Sequence, residues 1–417
     1  MGKPSGRRRI VVALAAMLAV GAATAVVYRV LAPAEVSTVA RGSYPAAPNP
    51  GPGVIGRLPV ASLVVDGRLR VYAGARQVYA DQPVDRRYRV TPYWAYRRWP
   101  ARLDGVLADG TTVVTRWSDG KLVALDARTG RVAWRTDGPA AAERPEPRRT
   151  YAATVWDPAG LYVARPAAGR GVLVAAGAGQ LDGYDLTDGR RLWRVDQERG
   201  CVGAAGTTAT GEVLGLVACA GPETVEFRDA ATGAVRTRWR PPSAPDELVV
   251  TPVGCREGRS GCRGLRISGR GDGNGRGWLV GAGAPVAAPA LDGTDTVLDG
   301  ERAVGTSAGV VTGRSARGGE ELWRRADLGP VRIIAAEPGR VHLLTERNDL
   351  VTLDPATGAE RSRFPLEIGQ DGLGWQPGRA YATGGYLAVE RARERATADD
   401  DDQAYFLTSE PVLLAAT

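Results

Sequence analysis

Histidine, lysine and cysteine are scarce in this sequence, and each scarcity disfavours a class of function. The 417 residues include one His (His342), two Lys (Lys3 and Lys121) and four Cys. A catalytic His needs a nucleophile and an orienting acid beside it, and one His cannot build a multi-His metal site. His342 lies in the apolar segment VHLLTE, so we expect it on a strand surface or between packed strands. His-based catalysis and zinc binding are therefore disfavoured.

The four cysteines fall into two pairs by their spacing. Cys201 and Cys219 flank a segment whose midpoint, Thr210, lies in the turn-like TATG, and Cys255 and Cys262 flank REGRSG. Strands folded about Thr210 place the first pair opposite each other. Neither pair has C-x-x-C spacing, which disfavours a thioredoxin-like activity. We expect two structural disulfides, Cys201–Cys219 and Cys255–Cys262, formed in an oxidising compartment.

The basic residues are almost all Arg and are spread along the chain. The formal net charge is +8, yet only Arg7–Arg9 form a block. A nucleic-acid-binding protein concentrates its positive charge in a patch or stripe. The charge therefore predicts a solvated, Arg-rich surface and no nucleic-acid partner.

One long apolar segment, at the N-terminus, predicts a membrane anchor. Residues 10–28 carry no charge and follow a basic tail, residues 1–9. Their length is close to the roughly 20 residues with which a helix crosses a bilayer, and the basic tail should remain in the cytoplasm. We predict a transmembrane helix or signal anchor at 10–28, single-pass in the cell membrane, with the C-terminal part on the extracytoplasmic side. The alternative is a signal peptide cleaved after Ala32-Pro33-Ala34.

One phrase recurs five times in the rest of the chain. It reads ALDARTGRVAW at 124–134, YDLTDGRRLW at 184–193, RDAATGAVRTRW at 228–239, RSARGGEELW at 314–323 and LDPATGAERSRF at 353–364. The turn glycines lie 59, 44, 86 and 39 residues apart, and 86 is two steps of 43. A period in the low forties with strand-turn-strand content predicts an all-β protein, a β-propeller.

Each copy is expected to end one strand at an Asp (Ser315 in the fourth copy), turn through a Gly and begin a second strand that carries a large ring. The Asp can accept hydrogen bonds from turn N–H groups, the Gly adopts the left-handed conformation, and the ring packs against the neighbouring blade. The predicted blade-docking residues are Asp126, Gly130, Trp134, Asp185, Gly189, Trp193, Asp229, Gly233, Trp239, Gly319, Trp323, Asp354, Gly358 and Phe364.

Eight blades of four antiparallel strands fit residues 60–417, preceded by a linker at 29–59 that is rich in Pro and Gly. The predicted blades are 60–99, 102–138, 150–197, 199–240, 246–285, 286–328, 330–369 and 373–417. The first lacks the repeated phrase, and if it is only a covering hairpin, the propeller has seven blades. Trp278 in RGDGNGRGW is interpreted as the ring of a decayed copy in the fifth blade.

The pattern A-x-D-x-x-T-G-x-x-x-W resembles the tryptophan-docking repeat of the pyrroloquinoline-quinone-type (PQQ-like) propellers, over roughly residues 60–417. The resemblance implies the propeller fold. The quinone-dependent dehydrogenases among these proteins use adjacent cysteines over the cofactor, a calcium ion and an Asp base, but this chain has no Cys-Cys dipeptide and is shorter. We therefore expect no cofactor, and no residue is assigned to PQQ, to calcium or to catalysis.

Two polar segments suggest calcium loops at first sight. Asp399–Asp402 are four consecutive Asp, and Asp272 and Asn274 lie in GRGDGNGRGW. Arg276 and Gly283 stand where such a loop would have an oxygen ligand and its bidentate Glu. Both segments are interpreted as solvated loops between strands.

The sequence thus predicts a membrane-anchored, extracytoplasmic PQQ-like propeller that acts as a scaffold without catalysis. Its partner is expected to be an envelope protein or polymer, by analogy with the propeller lipoprotein that scaffolds outer-membrane-protein assembly. One alternative is a quinone-dependent oxidoreductase, which cofactor absorbance and a calcium requirement would distinguish. Another is a sensor or lyase for cell-wall polymer, which polysaccharide binding would distinguish.

Overall fold

The strands form eight sheets. The structure, a computed structural model, describes residues 6–31, 34–142, 146–167, 169–177, 179–196, 201–218, 221–273, 275–367 and 374–417. The N-terminal third of the chain contains β1 (Ala34–Thr38), β2 (Gly53–Leu58), β3 (Ser62–Val65), β4 (Leu69–Gly74), β5 (Gln77–Asp81), β6 (Trp94–Trp99), β7 (Leu103–Asp109), β8 (Thr112–Trp117), β9 (Lys121–Asp126) and β10 (Val132–Asp137). The middle contains β11 (Leu161–Ala164), β12 (Val172–Gly177), β13 (Gln180–Asp185), β14 (Arg191–Asp196), β15 (Val202–Thr207), β16 (Glu212–Val217), β17 (Thr224–Asp229), β18 (Val235–Trp239), β19 (Leu248–Val253), β20 (Gly264–Gly269), β21 (Arg276–Leu279) and β22 (Val286–Ala287). The remainder contains β23 (Thr296–Asp299), β24 (Arg302–Ser307), β25 (Val310–Ser315), β26 (Glu321–Arg325), β27 (Val331–Glu337), β28 (Arg340–Thr345), β29 (Asp349–Leu353), β30 (Glu360–Pro365), β31 (Trp375–Thr383), β32 (Tyr386–Arg393) and β33 (Val412–Ala416). Three α-helices, α1 (Gly6–Leu31), α2 (Ala152–Val155) and α3 (Asp402–Tyr405), and one 3-10 turn (Pro289–Leu291) complete the described elements.

The sheets are the blades of an eight-bladed β-propeller, as predicted. Six consist of four consecutive antiparallel strands, from β7–β10 to β27–β30. Within each of these six blades the first strand lies innermost, and inner strands of neighbouring blades contact one another, as β7 does with β11 and β27 with β31. Because each blade lies between two neighbours, many strands in the interior of a blade are buried on both faces, whereas outer strands such as β10 are largely exposed. β3 reads SLVV and all four residues are buried.

The first and last blades depart from the predicted boundaries. β1 adds a fifth strand outside β6 in the first blade, and β2 is the outer strand of the last blade, where it pairs with β33. Both strands lie in 29–59, so the prediction of a linker there was wrong for 34–38 and 53–58. The edges of β6 and β33 offered unpaired backbone groups, and the N-terminal segment supplies their partners.

The segment between β1 and β2 crosses the first blade. The Ala40 N–H donates to the Thr129 carbonyl at 2.9 Å, and an Arg68 guanidinium nitrogen donates to the Pro45 carbonyl at 2.9 Å. An added Cβ at Gly56 would lie 1.9 Å from the Arg87 carbonyl oxygen, so β2 packs directly against the loop between β5 and β6. These contacts join the N-terminal segment to the ring.

The helix α1 covers the predicted anchor at 10–28, and its side chains are described for residues 11–24. Among the residues that the structure describes, no helix combines the length and the apolar character of a membrane span. The predicted transmembrane helix is therefore not supported by the described residues.

The hydrophobic core is divided into clusters, several of which lie between adjacent blades. One joins the second and third blades through Leu107, Trp134 and Tyr184. Another joins the seventh and eighth blades through Leu350 and Leu387. Blade-to-blade packing therefore holds the ring together.

Two segments fill the centre of the ring. From one face, α2 contacts the inner strands β3 and β7. The Trp156 indole N–H that follows α2 donates to the Ser62 carbonyl at 2.9 Å, and its ring stacks on Tyr381 at 6.0 Å. From the other face, the loop 254–263 between β19 and β20 extends towards the same region. We call the face that carries this loop and the Asp-Gly turns the motif face.

Candidate functional site

The repeated turns dock on tryptophans of the preceding blade in part of the ring. An added Cβ at Gly189 would lie 2.5 Å from a ring atom of Trp134, and one at Gly233 would lie 2.7 Å from Trp193. Each indole N–H also donates to a carbonyl of the same turn, at 3.0 Å for Trp134 and 2.7 Å for Trp193. Only glycine allows this close approach, and its φ of +73° at both positions also favours glycine.

The same arrangement occurs at two further junctions. Trp323 lies against Gly358 and donates to the Pro355 carbonyl at 3.0 Å. Trp94 lies against Gly130 and donates to the Ala127 carbonyl at 2.7 Å. The sequence analysis missed Trp94 because the first blade has no Asp-Gly phrase. Its spacing of 40 residues before Trp134 was the available signal.

Other predicted docking residues lie in different surroundings. Gly319 has the turn conformation, with φ +78°, but no atom lies within 4 Å of an added Cβ. The preceding blade ends in the short β22, Val-Ala, which offers no ring. Trp239 instead meets Trp278 edge to face at 4.8 Å. Trp278 lies on β21, the third strand, so its assignment as an outer-strand ring was wrong. Phe364 packs against the cluster of the last blade.

The turn carboxylates accept hydrogen bonds from the turn backbone. Asp126 Oδ1 accepts from the Arg128 N–H at 2.9 Å, and Asp354 Oδ1 accepts from the Ala356 N–H at 2.7 Å. The hydrogen bond from the Ala356 N–H lowers the pKa of Asp354. Burial acts to raise this pKa, and the Arg361 guanidinium lowers it further, so the net shift is downward. The same bond recurs from Thr187 to Asp185 and from Ala231 to Asp229. These carboxylates therefore stabilise turns.

A disulfide closes the loop that extends over the channel. Cys255 and Cys262 are bonded, which confirms this predicted pair. Cys219 lies outside the described residues, so the pair Cys201–Cys219 stays a prediction. The strands beside it pair as expected, with Val202 opposite Val217.

The disulfide loop is tied to the third and fourth blades. The Arg259 guanidinium holds the Asp157 carboxylate through two contacts of 3.0 Å. The Val163 N–H donates to Ser260 Oγ at 2.9 Å, and the Thr207 N–H donates to the Arg259 carbonyl at 2.9 Å. The loop is therefore held in one position across the channel mouth.

A cavity of about 330 Å³ lies between this loop and the inner strands on the motif face. Its walls come from the second, third, fifth, seventh and eighth blades. The charged side chains that line it are Asp109, Arg256, Glu257, Glu337 and Arg340. Its volume lies at the lower end of the roughly 300–1,000 Å³ of ligand pockets. None of these side chains was predicted from the sequence, although Cys255 and Cys262 bracket Glu257.

Two of the three carboxylates in the cavity wall have cationic partners. Asp109 pairs with Arg165, and Glu337 lies 3.5 Å from an Arg340 nitrogen. In the part of the chain that the structure describes, no hydrogen bond or ion pair reaches the Glu257 carboxylate. Burial and the negative charge of Asp109 raise the pKa of Glu257 to about 7.

His342 lies behind this cavity, between the seventh and eighth blades. It is fully buried, and its Nδ1 lies 3.1 Å from Thr352 Oγ1. Its Nε2 has no hydrogen-bond partner among the described residues and lies 3.7 Å from Glu337 Oε1. The prediction that His342 packs between strands agrees with this position.

The cavity does not fit a pyrroloquinoline quinone. A planar quinone needs a flat group to stack on, and the lining residues include no aromatic ring. Among the described residues there is also no group of three His, Cys, Asp or Glu that could hold a metal ion. Asp401 instead caps α3 through the Ala404 N–H, and Asp402 accepts from the Arg149 N–H.

Comparisons with known proteins agree with the repeat. Residues 93–248 match a PQQ-type family model described as "Outer membrane protein assembly factor BamB". The matched residues include three copies of the docking phrase, so this part of the chain is similar to the PQQ-like propellers. No curated protein sequence matches the chain significantly.

Several solved structures are similar in fold. BamB from Moraxella catarrhalis is 16% identical, with 85% of this chain and 96% of that chain covered and a TM-score of 0.42. Quinohemoprotein alcohol dehydrogenase from Comamonas testosteroni is 13% identical, with 87% and 75% covered and a TM-score of 0.40. The computationally designed Ika8 protein is 14% identical, with 76% and 96% covered and a TM-score of 0.41. These values are too low to carry an argument about function.

Proposed function

We propose that this protein is a membrane-anchored, extracytoplasmic scaffold that binds another envelope protein. The observation that carries the proposal is the match of residues 93–248 to a family whose description names an assembly factor. The architecture supports it, because a ring packed blade against blade presents its loops as a rigid surface.

The proposed location rests on two features. Val11, Leu14 and Leu18 of α1 are 64%, 51% and 74% exposed, so this helix presents apolar side chains that an apolar phase would cover. The Cys255–Cys262 disulfide fits an oxidising compartment. A reporter enzyme that is active only after export, fused after Thr417, should be active. An inactive fusion that is expressed at full length would contradict the proposal.

In-cell photo-crosslinking tests the scaffold function. A photo-reactive residue replaces Pro338 on the motif face in one variant and exposed Glu394 on the opposite face in a matched variant. We expect an adduct of one defined mass, identified as an envelope protein, from one face only. The absence of protein adducts from both faces, or the same unselective adducts from both, would contradict the proposal.

A further inference from the structure

The cavity on the motif face contains one carboxylate, Glu257, that forms no direct ion pair with the described residues. Asp109 and Glu337 each have an Arg partner, whereas the Glu257 carboxylate has none within the described residues. Arg256 lies on the same loop but is exposed, and no ion pair joins it to Glu257 in the described part of the chain. A cation that enters the cavity could therefore form a direct ion pair with Glu257, which the more distant charges of Arg256 and Arg165 do not supply.

A second observation comes from the far side of the same wall. His342 is fully buried, and its Nε2, which has no hydrogen bond to described residues, lies 3.7 Å from Glu337 Oε1. The Glu337 carboxylate is only 7% exposed and accepts the Gly385 N–H at 3.1 Å. A buried polar group without a partner is costly, so the wall on this side is also incompletely paired.

The position of the cavity limits what can enter it. It opens on the motif face, where turns of the second, seventh and eighth blades meet the disulfide loop and β11. It holds about 330 Å³, and its apolar walls (Leu107, Ala108 and Val163) surround the acidic groups. Such a site suits a long side chain with an apolar stem and a charged end, which Lys and Arg have.

We propose that this cavity receives a Lys or Arg side chain from a loop of the partner protein, with Glu257 as its counter-ion. The inference rests on the proposed scaffold function and names the part of the partner that is recognised. The disulfide loop keeps Glu257 in place, because Arg259 and Ser260, two and three residues further on, hold the loop to Asp157 and Val163.

The charge on Glu257 makes such binding dependent on pH. The groups that face it are Asp109, Arg165, Arg256 and the Tyr381 hydroxyl. Because the pKa of Glu257 is raised to about 7, its ionised fraction falls from about nine-tenths at pH 8 to about one-tenth at pH 6. A cation therefore binds more tightly at the higher pH.

Short blocked peptides test the chemistry of the site. Acetyl-Gly-Arg-Gly-amide and acetyl-Gly-Lys-Gly-amide are titrated into the full chain by calorimetry, with acetyl-Gly-Glu-Gly-amide and calcium chloride as separate probes. We expect the basic peptides to bind about tenfold more weakly at pH 6 than at pH 8. Glu257→Gln should weaken them at least about tenfold, whereas Glu257→Asp should retain most of the affinity. Glu301→Gln, an exposed carboxyl on the same face, should change nothing. Binding of calcium alone, of the acidic peptide alone, or equally of all peptides would overturn the proposal.

Crosslinking separates this inference from the scaffold function. The adduct formed by the photo-reactive residue at position 338 is compared in the parent and Glu257→Gln proteins. A loss of the adduct in Glu257→Gln, with normal folding, supports the pocket. An equal adduct in both proteins would overturn the pocket and leave the scaffold function intact. Peptide binding as described, without any protein adduct, would overturn the scaffold function and the protein partner, and would leave only the cation-binding chemistry of the cavity.

Discussion

Two glycines in equivalent turns allow the docking contact to be measured by itself. Gly233 and Gly319 are the turn glycines of two copies of the repeated phrase, and their φ angles are +73° and +78°. At Gly233 an added Cβ would lie 2.7 Å from a ring atom of Trp193, and at Gly319 no atom lies within 4 Å. Gly233→Ala and Gly319→Ala therefore share the backbone cost and differ in the ring contact.

The expected magnitudes follow from these two terms. A left-handed conformation costs a residue with a Cβ about 1–2 kcal/mol, which applies to both variants. Inserting a methyl group into a packed contact costs about 1–3 kcal/mol more, which applies to Gly233→Ala alone. The restriction of the unfolded chain, about 0.4–1 kcal/mol in favour of Ala, is common to both. The difference between the variants should therefore be about 1–3 kcal/mol.

The measurement is urea unfolding of both variants and the parent, followed by tryptophan fluorescence under identical conditions. The midpoint of Gly233→Ala should fall clearly below that of Gly319→Ala. Equal midpoints for the two variants would refute the argument that the ring of one blade is fixed by the glycine of the next.

Three other changes test separate parts of the structure. Trp134→Ala should lower the free energy of unfolding by about 3–5 kcal/mol, because its ring is buried. Trp99→Ala should lower it by about 1 kcal/mol at most, because that ring is 39% exposed and stacks on an Arg. Similar losses for the two variants in urea unfolding would contradict this. Glu257→Gln should stabilise the protein by up to about 3 kcal/mol at pH 8 and by little at pH 5. Folding raises the pKa of the Glu257 carboxyl from about 4.5 to about 7, so the parent protein loses stability as the pH rises through this range and the Gln variant does not. A difference in melting temperature between the two proteins that does not change with pH would argue against this. Gly56→Ala should lower the free energy of unfolding by about 1–3 kcal/mol and expose the amides of β2 to hydrogen exchange, because the added Cβ would meet a backbone carbonyl. Gly51→Ala, at a position with open space around it, is the control. Equal exchange of β2 in both variants would refute the contact.

The local part of the fold could be predicted from the sequence. The Asp-Gly phrase is a local pattern and its period near 43 can be read along the chain, so together they predict turns, strands and the eight blades. The disulfide Cys255–Cys262 also depends on a short spacing. These features were available without knowledge of long-range contacts.

The features that were missed depend on contacts between distant residues. β2 looks like part of a Pro/Gly-rich segment, and only the open edge of β33 makes it a strand. Gly319 lies in a copy of the same phrase as its counterparts, with Ser315 in place of the Asp, but the ring it would dock on belongs to another blade and is absent there. Glu257 meets Asp109 only because the disulfide loop crosses the channel, and no sequence pattern joins the two.

The pairing of β2 with β33 sets an order of events for a newly made chain. The two strands are separated by about 350 residues, so at the roughly 5–20 residues per second of synthesis β2 is complete roughly 20–70 s before its partner. During that interval the backbone N–H and C=O groups of β2, whose sequence is GVIGRL, lack the strand with which they pair in the native protein. The ring can therefore close only after synthesis of the last strand, and the period before closure is when the nascent protein is most exposed to proteolysis and to association with other chains.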